Sequence, residues 1–377
     1  MSLRTVIVVW GLSLALGAAC AGDPDLEPTD VSTKYQTMFE AVEGYVNDPE
    51  RFVEGEWQEH WGDGALFGPL YDLSMWRAHG VQSHYERAIE ALEVNRARVE
   101  EAAPSLMNHL DNFETLSMSL LSIVKAGEFL EDSTAYREAA EAMMVGIESV
   151  AELFGDYIEL DAGEFATSVY GPTAMTAAVA TLHVELALNY PDYNQAHHLQ
   201  RAGEILDEIH SRVWDEEMSV YRFAPGDTRL MLYPNATVML ALARAYELTG
   251  ESRYLQRFEA TFQGIQGLKD PDGDHYHSPY SAQSMGAEDE DYTTHSSQNY
   301  LMLSLLSAYQ ATDEAEYLVE IDTLLGFLKD RLLVGEQIMH HWMNGRAANE
   351  EDRYDYCLGC NVQTLFLLLS IAWLGGV

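Results

Sequence analysis

Seven residues have side chains suited to acid–base chemistry, and each lies in a long connection between predicted helices or in the first turn of the helix that follows. They are Asp63, Asp111, Glu114, Glu164, Asp291, His295 and His340. Cleavage of a glycosidic bond needs two carboxyl groups, one as acid and one as nucleophile or base, and the five acids are candidates. Epimerisation or lyase chemistry would instead need a base beside a carbonyl or carboxylate, for which the two histidines are candidates. The alternative for each acid is a helix N-cap or first-turn role, since Asp and Glu are favoured there in any case.

Aromatic and amide side chains accompany these residues in the same stretches of sequence. We expect them to bind substrate: Trp61, Tyr170, Tyr233, Asn235, Asn299, Trp342 and Asn361. Flat apolar rings stack on sugar faces, and amides hydrogen bond to hydroxyl groups. The combination predicts a carbohydrate ligand.

Two sequence features raise the question of a metal. The run from Asp270 through Asp272 to Asp274 resembles the start of a calcium loop, but the twelfth position of the loop, which should be Glu, is Ser281. A glycine-containing turn between two short strands explains this run equally well. A zinc site of the Cys/His type is the second alternative, from the histidines His275, His277, His295, His340 and His341 with Cys357 and Cys360. For an exported chain a disulfide between Cys357 and Cys360 is the simpler prediction, with a redox site as a further alternative. We therefore predict no cofactor, with calcium and zinc as alternatives.

The composition excludes several function classes. The chain has 377 residues, with 61 Asp and Glu against 21 Lys and Arg and a formal net charge of -40. Such a charge repels nucleic acid, so no nucleic-acid partner is expected. The sequence also has no nucleophile elbow, phosphate-binding glycine loop or zinc-protease helix motif.

The first twenty residues have the pattern of an export signal. One positive residue, Arg4, precedes an apolar run that ends in small residues before Cys20. This pattern resembles a bacterial lipoprotein signal, which implies a lipid-anchored protein of the cell envelope with Cys20 as the lipidated residue. Ordinary secretion with cleavage after Ala19 or Ala21 is the alternative. We expect a signal over 1–20, a tether over 21–32 and one domain over 33–377.

Helical periodicity recurs along the whole mature chain, so the predicted fold is all-α. The predicted helices cover 33–46, 67–79, 82–102, 112–130, 134–154, 171–189, 194–212, 234–249, 252–268, 296–312, 315–333 and 361–375. The segment from Ala245 to Leu255 aligns without a gap on that from Ala308 to Leu318, an offset of 63 residues. Repeats of this kind predict antiparallel helix pairs joined by short turns, with longer connections containing β-hairpins between pairs.

Tyr254 lies eight residues after Tyr246, with a Thr-Gly-Glu turn between them. This pattern resembles the hairpins of the six-hairpin glycosidase superfamily. These are (α/α)6 toroids, and they include N-acylglucosamine 2-epimerases and unsaturated glucuronyl hydrolases. The resemblance implies a glycoside hydrolase, or a related epimerase or lyase, with its cleft at the N-termini of the inner helices. The adjacent Asp-Asp pair typical of several of these hydrolase families is absent. The alternative is a non-catalytic lipoprotein that binds a glycan, peptide or metal on the same scaffold.

Overall fold

The computed structural model describes residues 26–57, 63–108, 113–154, 171–227, 230–277, 292–343, 346–348 and 358–375. The α-helices in these ranges are α1 Pro28–Lys34, α2 Gln36–Val46, α3 Asp63–His79, α4 Gln82–Ala102, α5 Phe113–Lys125, α6 Thr134–Phe154, α7 Gly171–Asn189, α8 Gln195–Val213, α9 Leu232–Thr249, α10 Ser252–Ile265, α11 His295–Thr312, α12 Ala315–Phe327 and α13 Leu358–Leu374. Short 3-10 turns cover Pro49–Arg51, Ala103–Asn108, Ala126–Glu128 and Gln266–Leu268, and a π turn, Leu328–Leu332, extends α12.

Every predicted helix is present, and most boundaries agree to within a few residues. The first one differs, because it starts at Pro28, inside the segment predicted as a tether, and is divided at Tyr35. Proline is favoured in the first turn of a helix, where its missing N–H is not needed. The side chains of Glu27 and Asp30 complete a capping box around that start.

Six helices form a closed inner ring. In order around it, α3, α5, α7, α9, α11 and α13 each pack on the next, and α13 packs on α3. The other helices lie outside, each against its hairpin partner. The sixth pair joins the two ends of the described chain, since α1 and α2 pack on α13 and Thr29 Oγ1 donates to the Gly375 carbonyl at 3.3 Å. This is the predicted (α/α)6 toroid.

The two layers differ in their sequence pattern for a physical reason. Inner helices are covered on all sides, and α7 is buried at nearly every position from Gly171 to Ala187. Outer helices bury a single stripe, as α8 does through Ala202, Ile205 and Ile209. A helix that is covered all round can be apolar all round, whereas a surface helix must be amphipathic.

The connections alternate in length, as predicted. Two-residue turns follow α3, α9 and α11 at 80–81, 250–251 and 313–314. Gly250 and Asp313, 63 residues apart, both take the left-handed conformation that ends the helix, with φ of 68° and 60°. The equivalent turns therefore have one geometry although only one of them has glycine.

The long connections gather at the opposite end of the ring, where the inner helices begin. They contain β1 Phe52–Val53, β2 Glu56–Trp57, β3 Trp214–Asp215, β4 Val220–Tyr221, β5 Thr293–Thr294, β6 Leu333–Val334, β7 Gln337–Ile338, β8 His341–Met343 and β9 Arg346–Ala348. All pairings are antiparallel: β1 with β2, β3 with β4, β6 with β7, and β5 with β8 and β8 with β9 in one sheet. The predicted β-hairpins are thus present.

None of the helices in the described ranges has the length and apolar character needed to cross a bilayer. The apolar helix α13 is instead a member of the inner ring, buried between α3 and α11.

Candidate functional site

Asp63 lies at the centre of a hydrogen-bonded network at the long-connection end of the ring. It is the first residue of α3 and only 1% exposed. Tyr300 Oη donates to its Oδ1 at 3.2 Å, and Ser296 Oγ donates to its Oδ2 at 3.4 Å. Tyr233, at the start of α9, hydrogen bonds to the Tyr300 hydroxyl, and the two rings meet edge to face at 4.8 Å. Three inner helices therefore contribute to one buried network.

Burial controls the protonation of this network. It raises the pKa of Asp63 from an ordinary 3.8 to about 6, although the hydroxyls of Tyr300 and Ser296 act in the opposite direction. Burial, together with the neighbouring Tyr233 and Asp63, places the pKa of Tyr300 well above its ordinary range. Asp63 can therefore exchange a proton near neutral pH, whereas Tyr300 stays a neutral donor.

His295 and His340 are brought together, but through backbone groups. The His295 N–H donates to the His340 carbonyl at 2.8 Å, next to the pairing of β5 with β8. The His295 imidazole is fully buried, and its Nε2 lies 2.7 Å from Thr364 Oγ1. Burial lowers its pKa to about 3, so this imidazole is neutral at physiological pH. A base this weak is poorly suited to proton abstraction near pH 7.

Asn235 and Asn361 share a structural arrangement. Asn235 accepts from the Tyr221 N–H at 2.8 Å and donates to the Tyr221 carbonyl at 2.9 Å. Asn361 does the same with Ile338, at 2.9 and 3.1 Å. Each amide is the fourth residue of its inner helix and binds the second strand of the β-hairpin that follows the preceding outer helix. These observed contacts fix the connections in place.

Gln298, the fourth residue of α11, completes the series. It accepts from the Tyr276 N–H at 3.2 Å and donates to the Tyr276 carbonyl at 2.8 Å. The three amides are spaced 63 residues apart along the chain, so this is one device used three times. We call Asn235, Gln298 and Asn361 the amide clamps.

The other described candidates are also held by neighbours. Asn299 Nδ2 donates to the Cys360 carbonyl at 2.9 Å, and its Oδ1 accepts from Thr364 Oγ1 at 3.1 Å, which joins α11 to α13. Trp342 is 9% exposed, edge to face with Phe327 at 6.0 Å, and Arg331 lies 5.5 Å from its ring centroid.

Several predicted residues lie outside the described part of the chain: Trp61, Asp111, Glu164, Tyr170, Asp291, Cys20 and Cys357. Glu114 belongs to the first turn of α5, and its side chain is likewise outside that part. Cys360 is disulfide-bonded. The roles predicted for the seven residues and for Glu114 remain predictions.

Sequence reasoning missed Tyr300 and Ser296, which complete the Asp63 network. A signal for one of them was present, because Ser296 lies 63 residues after Tyr233 and so takes the equivalent position on the next inner helix. Tyr300 had no such signal, since its equivalents are Thr237 and Gln363.

A cavity of about 280 Å³ lies inside the ring and is lined by residues of the six inner helices, most of them in the C-terminal halves. Its wall is mainly apolar, with the rings of Phe67, Phe366 and Trp373. One side carries a buried ion pair in which Arg244 Nε lies 2.8 Å from Glu185 Oε1. Although burial opposes it, Arg244 holds the pKa of Glu185 well below its ordinary value. Tyr300 lines both this cavity and a smaller void near Tyr233.

Comparison with known proteins gives a result only at the level of structure. No protein-family model and no curated protein matches the chain. An α-1,6-mannanase of Salegentibacter sp. HEL1_6, solved as an inactive variant with α-1,6-mannotetrose, superposes with a TM-score of 0.61 at 12% identity, over 93% of this chain and 100% of that one. A family 88 glycosyl hydrolase from Bacteroides vulgatus superposes with a TM-score of 0.60 at 13% identity, over 92% of this chain and 99% of that one. A sugar epimerase from a ruminal bacterium superposes with a TM-score of 0.64 at 10% identity, over 90% of this chain and 98% of that one. Identities this low show the fold alone, and the fold that this chain shares with these proteins is the (α/α)6 toroid.

Proposed function

We propose that this chain is a carbohydrate-active enzyme, most simply a glycoside hydrolase, with Asp63 as its general acid. The observation that carries the proposal is a carboxyl group buried at the N-terminal end of the inner ring, with its pKa raised to about 6. Glycoside hydrolases need one carboxyl that keeps its proton near neutral pH and delivers it to the leaving oxygen. The structural neighbours include a mannanase, a family 88 glycosyl hydrolase, a cellobiose 2-epimerase and a polysaccharide lyase.

The network stabilises the carboxylate that remains after proton delivery. Tyr300 Oη donates to Asp63 Oδ1 and Ser296 Oγ donates to Asp63 Oδ2, and both hydrogen bonds favour the charged form of the carboxyl group. The partner carboxylate is to be sought among Asp111, Glu114, Glu164 and Asp291. A separation of about 5–5.5 Å would indicate a retaining route, and about 6.5–9.5 Å an inverting one.

Two groups near the proposed site are poorly suited to epimerisation or elimination. Both alternatives require a base that removes a carbon-bound proton near neutral pH. His295, with a pKa of about 3, is a weak base, and Tyr300 resists ionisation. We further propose export with a lipid anchor on Cys20, on the basis of the signal pattern.

The test uses the mature chain without its lipidated residue, residues 21–377, incubated with α-1,6-mannan oligosaccharides, cellobiose and a panel of acidic and neutral polysaccharides. Products are separated by chromatography and their anomers followed by NMR, which detects hydrolysis, elimination and epimerisation alike. Asp63→Asn should reduce turnover by about 10²–10⁴-fold, the usual contribution of a general acid. Asp192→Asn, an exposed aspartate in the short turn after α7, is the matched control and should leave turnover unchanged.

Two results would count against the proposal. Full activity in Asp63→Asn would remove Asp63 from the chemistry. Glycan binding without turnover of any substrate would instead favour the non-catalytic alternative.

A further inference from the structure

A small hairpin after α10 places three metal-ligating side chains together. Lys269 and Tyr276 form an antiparallel bridge, the Asp270 N–H donates to the His275 carbonyl at 2.9 Å, and Gly273 turns the chain with φ of 78°. Opposed residues on an antiparallel pair share a face, and successive residues alternate between faces. Asp270, His275 and His277 therefore lie on one face, and Lys269 and Tyr276 lie on the other.

The second face fixes the hairpin to the toroid. Lys269 Nζ lies 2.7 Å from Glu320 Oε1 on α12, and Tyr276 Oη donates to the same oxygen at 2.8 Å. The Gln298 clamp binds the backbone of Tyr276 from α11. The first face is thus presented on a backbone held by two helices, which lowers the entropy cost of gathering ligands.

The ligand atoms have spacings suited to one ion. One ligand atom of each of Asp270, His275 and His277 lies within 4.8 Å of those of the other two. His277 Nε2 and Asp270 Oδ2 are 3.4 Å apart, longer than a normal charge-assisted hydrogen bond. Two ligands of a tetrahedral zinc ion, each at about 2.1 Å from the metal, lie about 3.4 Å apart. The third ligand has to approach by at most about 1.4 Å, which a side-chain rotation can supply.

Neighbouring groups orient two of the ligands. The Asp272 N–H donates to Asp270 Oδ1 at 2.8 Å, which turns Oδ2 toward His277. Asp274 Oδ1 lies 2.7 Å from His275 Nδ1, and this favours the tautomer whose Nε2 carries the lone pair. The His275 ring is stacked on Phe327 at 4.3 Å, and Arg331 lies 3.3 Å from the Asp274 carboxylate. A carboxylate behind a ligating imidazole is the usual support of a zinc-binding histidine.

We propose that Asp270, His275 and His277 bind one zinc ion, with the fourth position open to water, and that the ion holds together the two sides of the hairpin after α10. Two imidazoles and one carboxylate suit zinc, whereas calcium takes oxygen ligands. Asp270 and His277 are 15% and 22% exposed, so an ion can enter from solvent. The site is independent of the Asp63 network and of the proposed reaction.

The experiment measures zinc binding to EDTA-treated mature chain by isothermal titration calorimetry, in excess calcium and magnesium to saturate weak sites on the acidic surface. We expect one equivalent of zinc to bind and to raise Tm by several degrees, with no rise from calcium alone. His277→Ala should weaken binding by at least about 100-fold and Asp274→Asn by about 10-fold, the range known for supporting residues. His197→Ala, a half-exposed histidine on α8, is the matched control and should bind as the parent does.

Cobalt(II) gives a second measurement on the unmutated protein. Intense visible bands of a four-coordinate complex, displaced by one equivalent of zinc, are expected even if a variant fails to fold. The proposal is overturned if zinc binds only weakly and non-stoichiometrically, if His277→Ala and His197→Ala behave alike, or if cobalt shows only the weak spectrum of the hydrated ion.

Discussion

Replacing Asp63 with asparagine should stabilise the fold at neutral pH while removing the proposed activity. The folded pKa of Asp63, about 6, lies above its ordinary value of 3.8. For a carboxyl with a raised pKa, the folded state holds its proton more tightly, so stability falls as pH rises from 3.8 through 6. The destabilisation is then fully present at pH 8. Asparagine keeps the shape and still accepts from Tyr300, but it carries no charge to bury.

The magnitude follows from linkage. The native carboxyl costs about 3 kcal/mol at pH 8 and about 0.6 kcal/mol at pH 4. Asp63→Asn should therefore raise the free energy of unfolding by up to about 3 kcal/mol at pH 8, and by far less at pH 4. Such a gain from removing a functional group is the usual trade between stability and activity.

Asp72 is the matched control, because it is a buried aspartate on the same helix in the opposite situation. Its Oδ2 accepts from Arg87 Nε at 2.6 Å, and its Oδ1 lies 2.7 Å from His84 Nδ1. Asp72→Asn leaves a largely buried guanidinium without its partner and should cost about 3–5 kcal/mol at pH 8. The same substitution in one helix should therefore raise the free energy of unfolding at position 63 and lower it at position 72.

The assay is urea unfolding of the three proteins at pH 4 and pH 8, followed by circular dichroism and tryptophan fluorescence. The quantity compared is the change in unfolding free energy between the two pH values for each variant relative to the parent. If Asp63→Asn destabilises the protein equally at both pH values, the carboxyl is not held protonated, and the general-acid argument loses its basis.

Three further changes test other parts of the structure. Glu185→Gln should cost about 3–5 kcal/mol, because Arg244 loses its buried partner, and an unchanged Tm would contradict this. As pH falls from 6.5 toward 3, the unfolded His295 imidazole gains a proton that the folded one does not. Stability should therefore drop by about 1.4 kcal/mol per pH unit from this residue, a slope that His295→Gln should remove in urea titrations. Gln298→Ala should cost about 1–3 kcal/mol and speed hydrogen exchange in the hairpin after α10, whereas the exposed Gln36→Ala should change neither.

The fold could be predicted from the sequence because its signals are local. Helical periodicity, the turn at Gly250 and its copy at Asp313 depend on residues within one or two turns of each other. The repeat then fixed the alternation of short and long connections. The pairing of α1 and α2 with α13 had no local signal, since those helices are brought together only when the ring closes.

The amide clamps show why site residues were harder to assign than helices. An asparagine at the start of an inner helix satisfies the same sequence pattern whether it binds a hydroxyl group of a sugar or the backbone of a neighbouring strand. In the structure, both polar atoms of Asn235 bind backbone groups. Because a buried strand end must have its N–H and C=O satisfied, this role is required by the fold before any ligand is considered. The 63-residue recurrence of the clamp is itself the sign of a structural role, since an active site needs each catalytic group only once.

That reasoning strengthens the case for Asp63. The equivalent positions at the starts of α9, α11 and α13 hold Leu232, His295 and Leu358, so no other of these helices begins with an acid. A capping acid would be expected where the helix start is exposed, yet Asp63 is buried and receives its hydrogen bonds from two hydroxyl groups of another helix, α11. A fold selected only for stability would replace a carboxyl that costs about 3 kcal/mol at neutral pH. Asp63 is the one acid among these helix starts, and its charge destabilises the fold. Both facts indicate a group that is kept for chemistry and not for structure.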